Sequence, residues 1–138
     1  MRRSLWPMSF IYVATLLLSV GTPAWAQVTE ISIKSNESAD LGPVYWLERV
    51  HCGSQLIDFA GVDLLEGPPG ITLSIRKQDV IAVNNGPCTG AKLPGGVVIA
   101  TVKEVPEKAS VVIKYRVRYN TSYGVQQSNH TRQINLYP

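Results

Sequence analysis

The chain has 138 residues, with 13 Lys and Arg against 10 Asp and Glu, a formal charge of +3 and two cysteines. Arg2 and Arg3 lie in an N-terminal leader, and without them eleven basic side chains face ten acidic ones. That balance excludes a phosphate-backbone binder, which needs a concentrated excess of Lys and Arg, so no nucleic-acid partner is expected.

The leader comes first in chain order. Arg2 and Arg3 supply a positive start, "SFIYVATLLLSV" an apolar run, and Ala24-Trp25-Ala26 a small-x-small cleavage pattern. The run is shorter than the roughly 20 residues of a spanning helix. The expectation is a signal peptide over 1–26 and a mature chain from Gln27 in the periplasm or outside the cell, with no stable membrane anchor. Residues 27–138 are the size of one small domain with one core.

An exported chain meets an oxidising compartment, where two thiols pair. Cys52 and Cys88 are the only cysteines, so one disulfide is expected. In the chain-entropy model it removes about 3.5 to 4 kcal/mol of unfolded-state freedom. Neither cysteine sits in a C-x-x-C or Cys/His cluster, so no metal and no other cofactor is expected.

Past the leader, alternation with a period of two recurs between Gly and Pro punctuation, and no window carries helical periodicity. "TEISIKS" sets Ile31 and Ile33 on one face. "VYWLERV" over 44–50 reads as a strand after Gly42-Pro43, and "SQLIDFAGVDLL" as an apolar segment broken by Gly61. "EGPPGITLSIRK" gives a proline turn and a strand with Ile71, Leu73 and Ile75 inward. Short "VIAVN" leads into "NNGPCTGAKLPGG", residues 84–96, whose glycines and prolines read as a turning loop and whose Cys88 would pin it. "GGVVIATVK" is apolar on both faces, as a central strand or one covered by a neighbour would be. After the turn at 106–108, "SVVIKYRVRYN" places Val111, Ile113, Tyr115, Val117 and Tyr119 on one side and Val112, Lys114, Arg116 and Arg118 on the other. "TSYG" turns it back into "VQQSNHTRQINLYP". About seven short strands in this length predict an all-β, two-sheet antiparallel sandwich, with a small closed barrel as the competing architecture.

The order of Cys52, "GPPGITLSI", Cys88 with "GAKLPGGVVIATV", and then "VVIKYRVRYNTSYGVQ" resembles bacterial exported immunoglobulin-like or cadherin-like modules. The resemblance covers Cys52 to the C-terminus and implies an immunoglobulin-like sandwich. The antibody-type pattern is departed from, because Trp46 precedes Cys52 and no Tyr stands two residues before Cys88. "GPCTGAK" is also similar to the reactive loop of Kunitz-type protease inhibitors, with Lys92 four residues past the cysteine.

Few residues are available for catalysis: His51, His130 and four aspartates in the mature part. No serine has a nucleophile-elbow context, so the chain is not read as an enzyme. The sequons at Asn36, Asn120 and Asn129 read as polar turn composition. Residues 126–133 have no apolar face in either register. One register turns Ser128, His130 and Arg132 inward, so the distal hairpin is expected at an exposed edge with Tyr119 and Tyr123 partly uncovered. Tyr and Arg are favoured at interfaces. The candidate binding residues are Tyr119, Tyr123, Lys114, Arg116, Arg118, His130 and Arg132. The reading is a non-enzymatic exported binding or assembly module contacting a protein or a cell-envelope polysaccharide through this hairpin. The alternative is a small inhibitor of an exported hydrolase acting through loop 84–96.

Overall fold

The computed structural model describes residues 30–138, so the leader expectation over 1–26 lies outside the described residues. Seven strands follow in order: β1 Ile31–Lys34, β2 Ser38–Val44, β3 Leu56–Glu66, β4 Ile71–Ile81, β5 Lys92–Val102, β6 Ala109–Thr121 and β7 Gly124–Tyr137. Two sheets form, β1-β7-β6-β3 and β2-β5-β4. The all-β sandwich with one disulfide is therefore the fold. Among the described residues no helix is long and apolar enough to cross a membrane.

The core lies between the sheets. Ile113, Tyr115, Val117 and Tyr119 of β6 face Leu41, Val44, Val98, Ala100 and Val102, with Ile33, Ile134 and Leu136 closing one side. The strict alternation read in β6 is kept, and β5 is the middle strand of its sheet, as its two apolar faces require. A smaller cluster of Val80, Ala82, Leu93 and Val97 packs with Tyr45 and Leu47.

Three details differ from the sequence reading. First, β1 pairs with β7 in parallel, Ile31 beside Ile134 through Lys34 beside Tyr137, within an otherwise antiparallel pattern. Second, β2 runs through Gly42-Pro43, which read as punctuation. An edge strand tolerates both residues, and the register shifts by one between Asp40 and Gly42. Third, the segment after Val44 is no strand beyond a single bridge, Leu47 to Ser54. The Glu48 carboxylate accepts the N–H groups of Val50 and His51 at 2.6 and 2.8 Å, which folds the backbone into a local turn.

Cys52 and Cys88 are bonded, with Cα atoms 5.3 Å apart, joining that turn to the loop between β4 and β5. The loop is shorter than expected, because β5 begins at Lys92. Gly86–Cys88 form one short 3-10 turn, and Gly95 and Gly96 are strand residues. These two glycines serve close approach instead of turning. A Cβ on Gly95 would stand 2.6 Å from the Val44 carbonyl oxygen, and one on Gly96 2.9 Å from the Phe59 ring.

Candidate binding surface

β6 and β7 form one regular hairpin from Ala109–Leu136 to Thr121–Gly124, with no break in register. Residues directly opposed share a face, so Ile113, Tyr115, Val117 and Tyr119 set Arg132, His130, Ser128 and Gln126 on the inner side. The polar inward register is the one adopted. Its burial alternates accordingly, with even-numbered residues half-buried and odd-numbered ones exposed over 125–133.

The inward polar row is satisfied locally. Tyr119 Oη and Ser128 Oγ are 2.6 Å apart, and Ser128 Oγ lies 2.7 Å from His130 Nε2. The His130 ring stacks on Tyr115 at 5.1 Å. Arg132 Nε donates to the Leu41 carbonyl of β2 at 3.1 Å and Nη1 to the Thr131 carbonyl at 3.0 Å, so this side chain ties the two sheets together. Gly42, at φ +140°, leaves the room that the guanidinium occupies. Burial holds His130 below its ordinary value, helped by the nearby Arg132 charge. Burial likewise pushes the Tyr115 and Tyr119 phenols up.

Tyr119 corrects the expectation of partial exposure. It is 2% exposed and packs against Trp46 and Phe59 with ring centroids at 5.2 and 5.6 Å. The 44–50 segment, which crosses into the core at Trp46, supplies a cover that strand alternation alone does not reveal. Tyr123 is 76% exposed at the hairpin tip, as expected.

The basic row on the outer face has acidic partners on β3. Lys114 Nζ is 3.5 Å from Glu66, and Asp63 receives Arg118 at 2.9 and 3.3 Å, with Arg116 Nε at 3.9 Å. Arg118 also lies over Gly61, where a Cβ would come within 2.5 Å of its guanidinium. Solvated cross-strand pairs of this kind contribute little stability, but two carboxylates set against three cations weaken the positive field of the row. The sequence reading missed this pairing because it needs the registration of β3 on β6.

What stays open is main chain. β1 covers β7 only from Ile134 to Tyr137. The Ser35 N–H donates to the Tyr137 carbonyl, so Tyr137 directs its backbone groups toward β1. Alternation along an unbroken strand then aims the N–H groups of Val125, Gln127, Asn129 and Thr131 away from β6. No described strand receives them. The Thr131 carbonyl is capped by Arg132, which ends the open stretch. Beside that end lies a cleft of about 530 Å³ lined by Ile31, Leu41, Pro43, Thr131, Arg132 and Gln133.

The other edges are guarded. β3 carries three register shifts, β2 a shift and Pro43, and β4 the charges of Arg76, Lys77 and Asp79, with Lys77 bridging to Asp58 of β3. Residues 124–133 of β7 have no proline, no lysine and no bulge. Proteins ordinarily blunt exposed edges by such devices.

Loop 84–96 is held at two points. The disulfide is one, and the Tyr45 hydroxyl is the other, accepting the Val83 N–H at 3.1 Å and contacting Asn85. Lys92, the residue similar to an inhibitor's exposed base, sits in β5 opposite Ile81 and 3.8 Å from Asp79. Among the described residues no three His, Cys, Asp or Glu side chains come together. No protein-family model, curated protein or solved structure gives a significant match to this chain.

Proposed function

We propose that the protein is an exported, non-enzymatic assembly module that binds another protein by taking an extended strand onto the open edge of β7. One observation carries the reading: a regular stretch with outward-aimed N–H groups at Val125, Gln127, Asn129 and Thr131, unguarded where every other long edge is broken or charged. Strand addition draws affinity from main-chain hydrogen bonds, so it needs no basic patch or enzymatic cluster. Export agrees with the disulfide, a bond that persists in oxidising compartments. A protein partner is favoured over a polysaccharide because Tyr123 is the one strongly exposed aromatic ring among the described residues.

The inhibitor reading receives less support, since Lys92 belongs to a paired strand. The experiment is capture from native envelope extract with the mature chain and with Asn129→Pro. Asn129 directs its N–H outward, so proline there removes an edge donor while leaving the hairpin ladder intact. Loss of the captured protein in a variant that melts like wild type is the expected result. Equal capture by both chains overturns the reading.

A further inference from the structure

We infer that the strand received by β7 is the β7 of a second copy, paired antiparallel about a two-fold axis through Ser128. The inference rests on the edge reading above. A two-fold axis perpendicular to a continuous sheet keeps outer faces outer, so each residue must meet one of its own parity. The open stretch satisfies this over residues 125–131, with Gln127 opposite Asn129 and Val125 opposite Thr131. All four aim their backbone N–H groups at the edge; the Gln127 and Asn129 pairs exchange hydrogen bonds, and Thr131, whose carbonyl Arg132 already caps, donates its N–H to Val125.

The side chains agree. In this register no like charges face each other: Gln126 meets His130, Ser128 meets its own copy, and Arg132 meets Gly124. The near-zero charge expected of the mature chain, eleven basic against ten acidic side chains, offers little repulsion between copies. The ends also match. Tyr123 and Val125, 76% and 67% exposed, are the apolar side chains at the hairpin tip. Extending the register brings Tyr123 to the partner's Gln133, beside its cleft of Ile31, Leu41 and Pro43. An unrelated peptide would need pockets for its alternate side chains. Beside the open stretch stand the exposed amides Gln127 and Asn129, and the cleft that includes Thr131 and Gln133 lies only at its end.

Strand pairing of this length is a small interface, so a dimer of micromolar strength is expected. The test is sedimentation equilibrium on the mature chain, on Gln127→Lys/Asn129→Lys, and on Gln127→Glu/Asn129→Glu. Like charges then face each other twice across the axis, and each variant should dimerise about tenfold more weakly or worse. An equimolar mixture of the two variants should restore the dimer. Melting curves establish that each is folded, which matters most for the lysine variant because Gln127 and Asn129 lie opposite Arg118 and Arg116. A wild-type chain that stays monomeric at several hundred micromolar overturns the inference, as does undiminished dimerisation of both variants or a mixture that fails to recover. If wild type is monomeric yet Asn129→Pro loses a captured protein, self-pairing falls and the edge function stands. If that variant also captures normally, both fall.

Discussion

Tyr119 Oη lies 2.6 Å from Ser128 Oγ, so the polar stretch of one strand caps a buried tyrosine of the opposite strand. Tyr119 is thereby a core residue whose hydroxyl needs a polar neighbour. Tyr119→Ala should cost about 3 to 5 kcal/mol of unfolding free energy, the range for losing a buried aromatic ring. Tyr119→Phe should cost only about 1 kcal/mol, because Ser128 keeps its bond to His130. Urea unfolding of both variants measures this, and equal costs would mean that the ring contributes nothing beyond its hydroxyl.

The glycine pair within β5 makes a second prediction. Gly95→Ala and Gly96→Ala should each destabilise by about 1 to 3 kcal/mol, with Gly95 the worse, since its Cβ would come within 2.6 Å of the Val44 backbone oxygen while that of Gly96 stays 3.0 Å from the Arg76 one. Gly53→Ala, with nothing within 4 Å of its Cβ, should fall within about 0.5 kcal/mol of wild type. Thermal melts of the three variants check the order.

The disulfide closes a separation of 36 residues between two irregular segments. Replacing both cysteines with serine should lower stability by about 3 to 4 kcal/mol. Lys92→Ala, which removes an exposed ion pair 3.8 Å long, should change it by less than about 0.5 kcal/mol. Denaturant midpoints of the two variants separate the cross-link from the lysine.

Much of this was legible beforehand, and the residues show why. The alternation of β6, the central place of β5 and the polar register of β7 depend on local periodicity, which a sequence carries directly. The cysteine pairing followed from the expected compartment and from count. The Glu48 turn replaced a strand because a side chain competed with the ladder, and β2 formed across Gly42-Pro43 because an edge accepts them. Tyr119's cover comes from Trp46 and Phe59, far away in sequence, and the acidic partner of Arg118 is Asp63 on β3. The open edge itself is a property of main chain left over after pairing. Its one visible trace was the absence of proline, lysine and bulge-forming glycine from "VQQSNHTRQ".

His130 sets a pH dependence. Its folded value is held below the ordinary 6.5 by burial and by Arg132, so the unfolded chain takes up the proton first. Its contribution is fully present above pH 6.5 and is lost as pH falls through that value toward the depressed folded one. Glu48 and Asp58, held below 4.5 and 3.8 by hydrogen bonds from the His51 backbone and from Lys77, weaken the fold only at lower pH. Melting temperature should therefore drop between about pH 7.5 and 5.5, and His130→Gln should flatten that slope. An unchanged slope in the variant would assign it elsewhere.

The central claim is that β7 offers its outer main chain to another strand, and amide hydrogen exchange followed by NMR across a concentration series tests it most directly. In dilute solution the N–H groups of Val125, Gln127 and Asn129 should exchange quickly, while those of Gln126, Ser128 and His130, bonded to β6, stay protected. Raising the protein concentration, or adding a captured partner, should slow the first three and leave the others unchanged. Exchange at Val125, Gln127 and Asn129 that stays fast under every such condition would contradict the account.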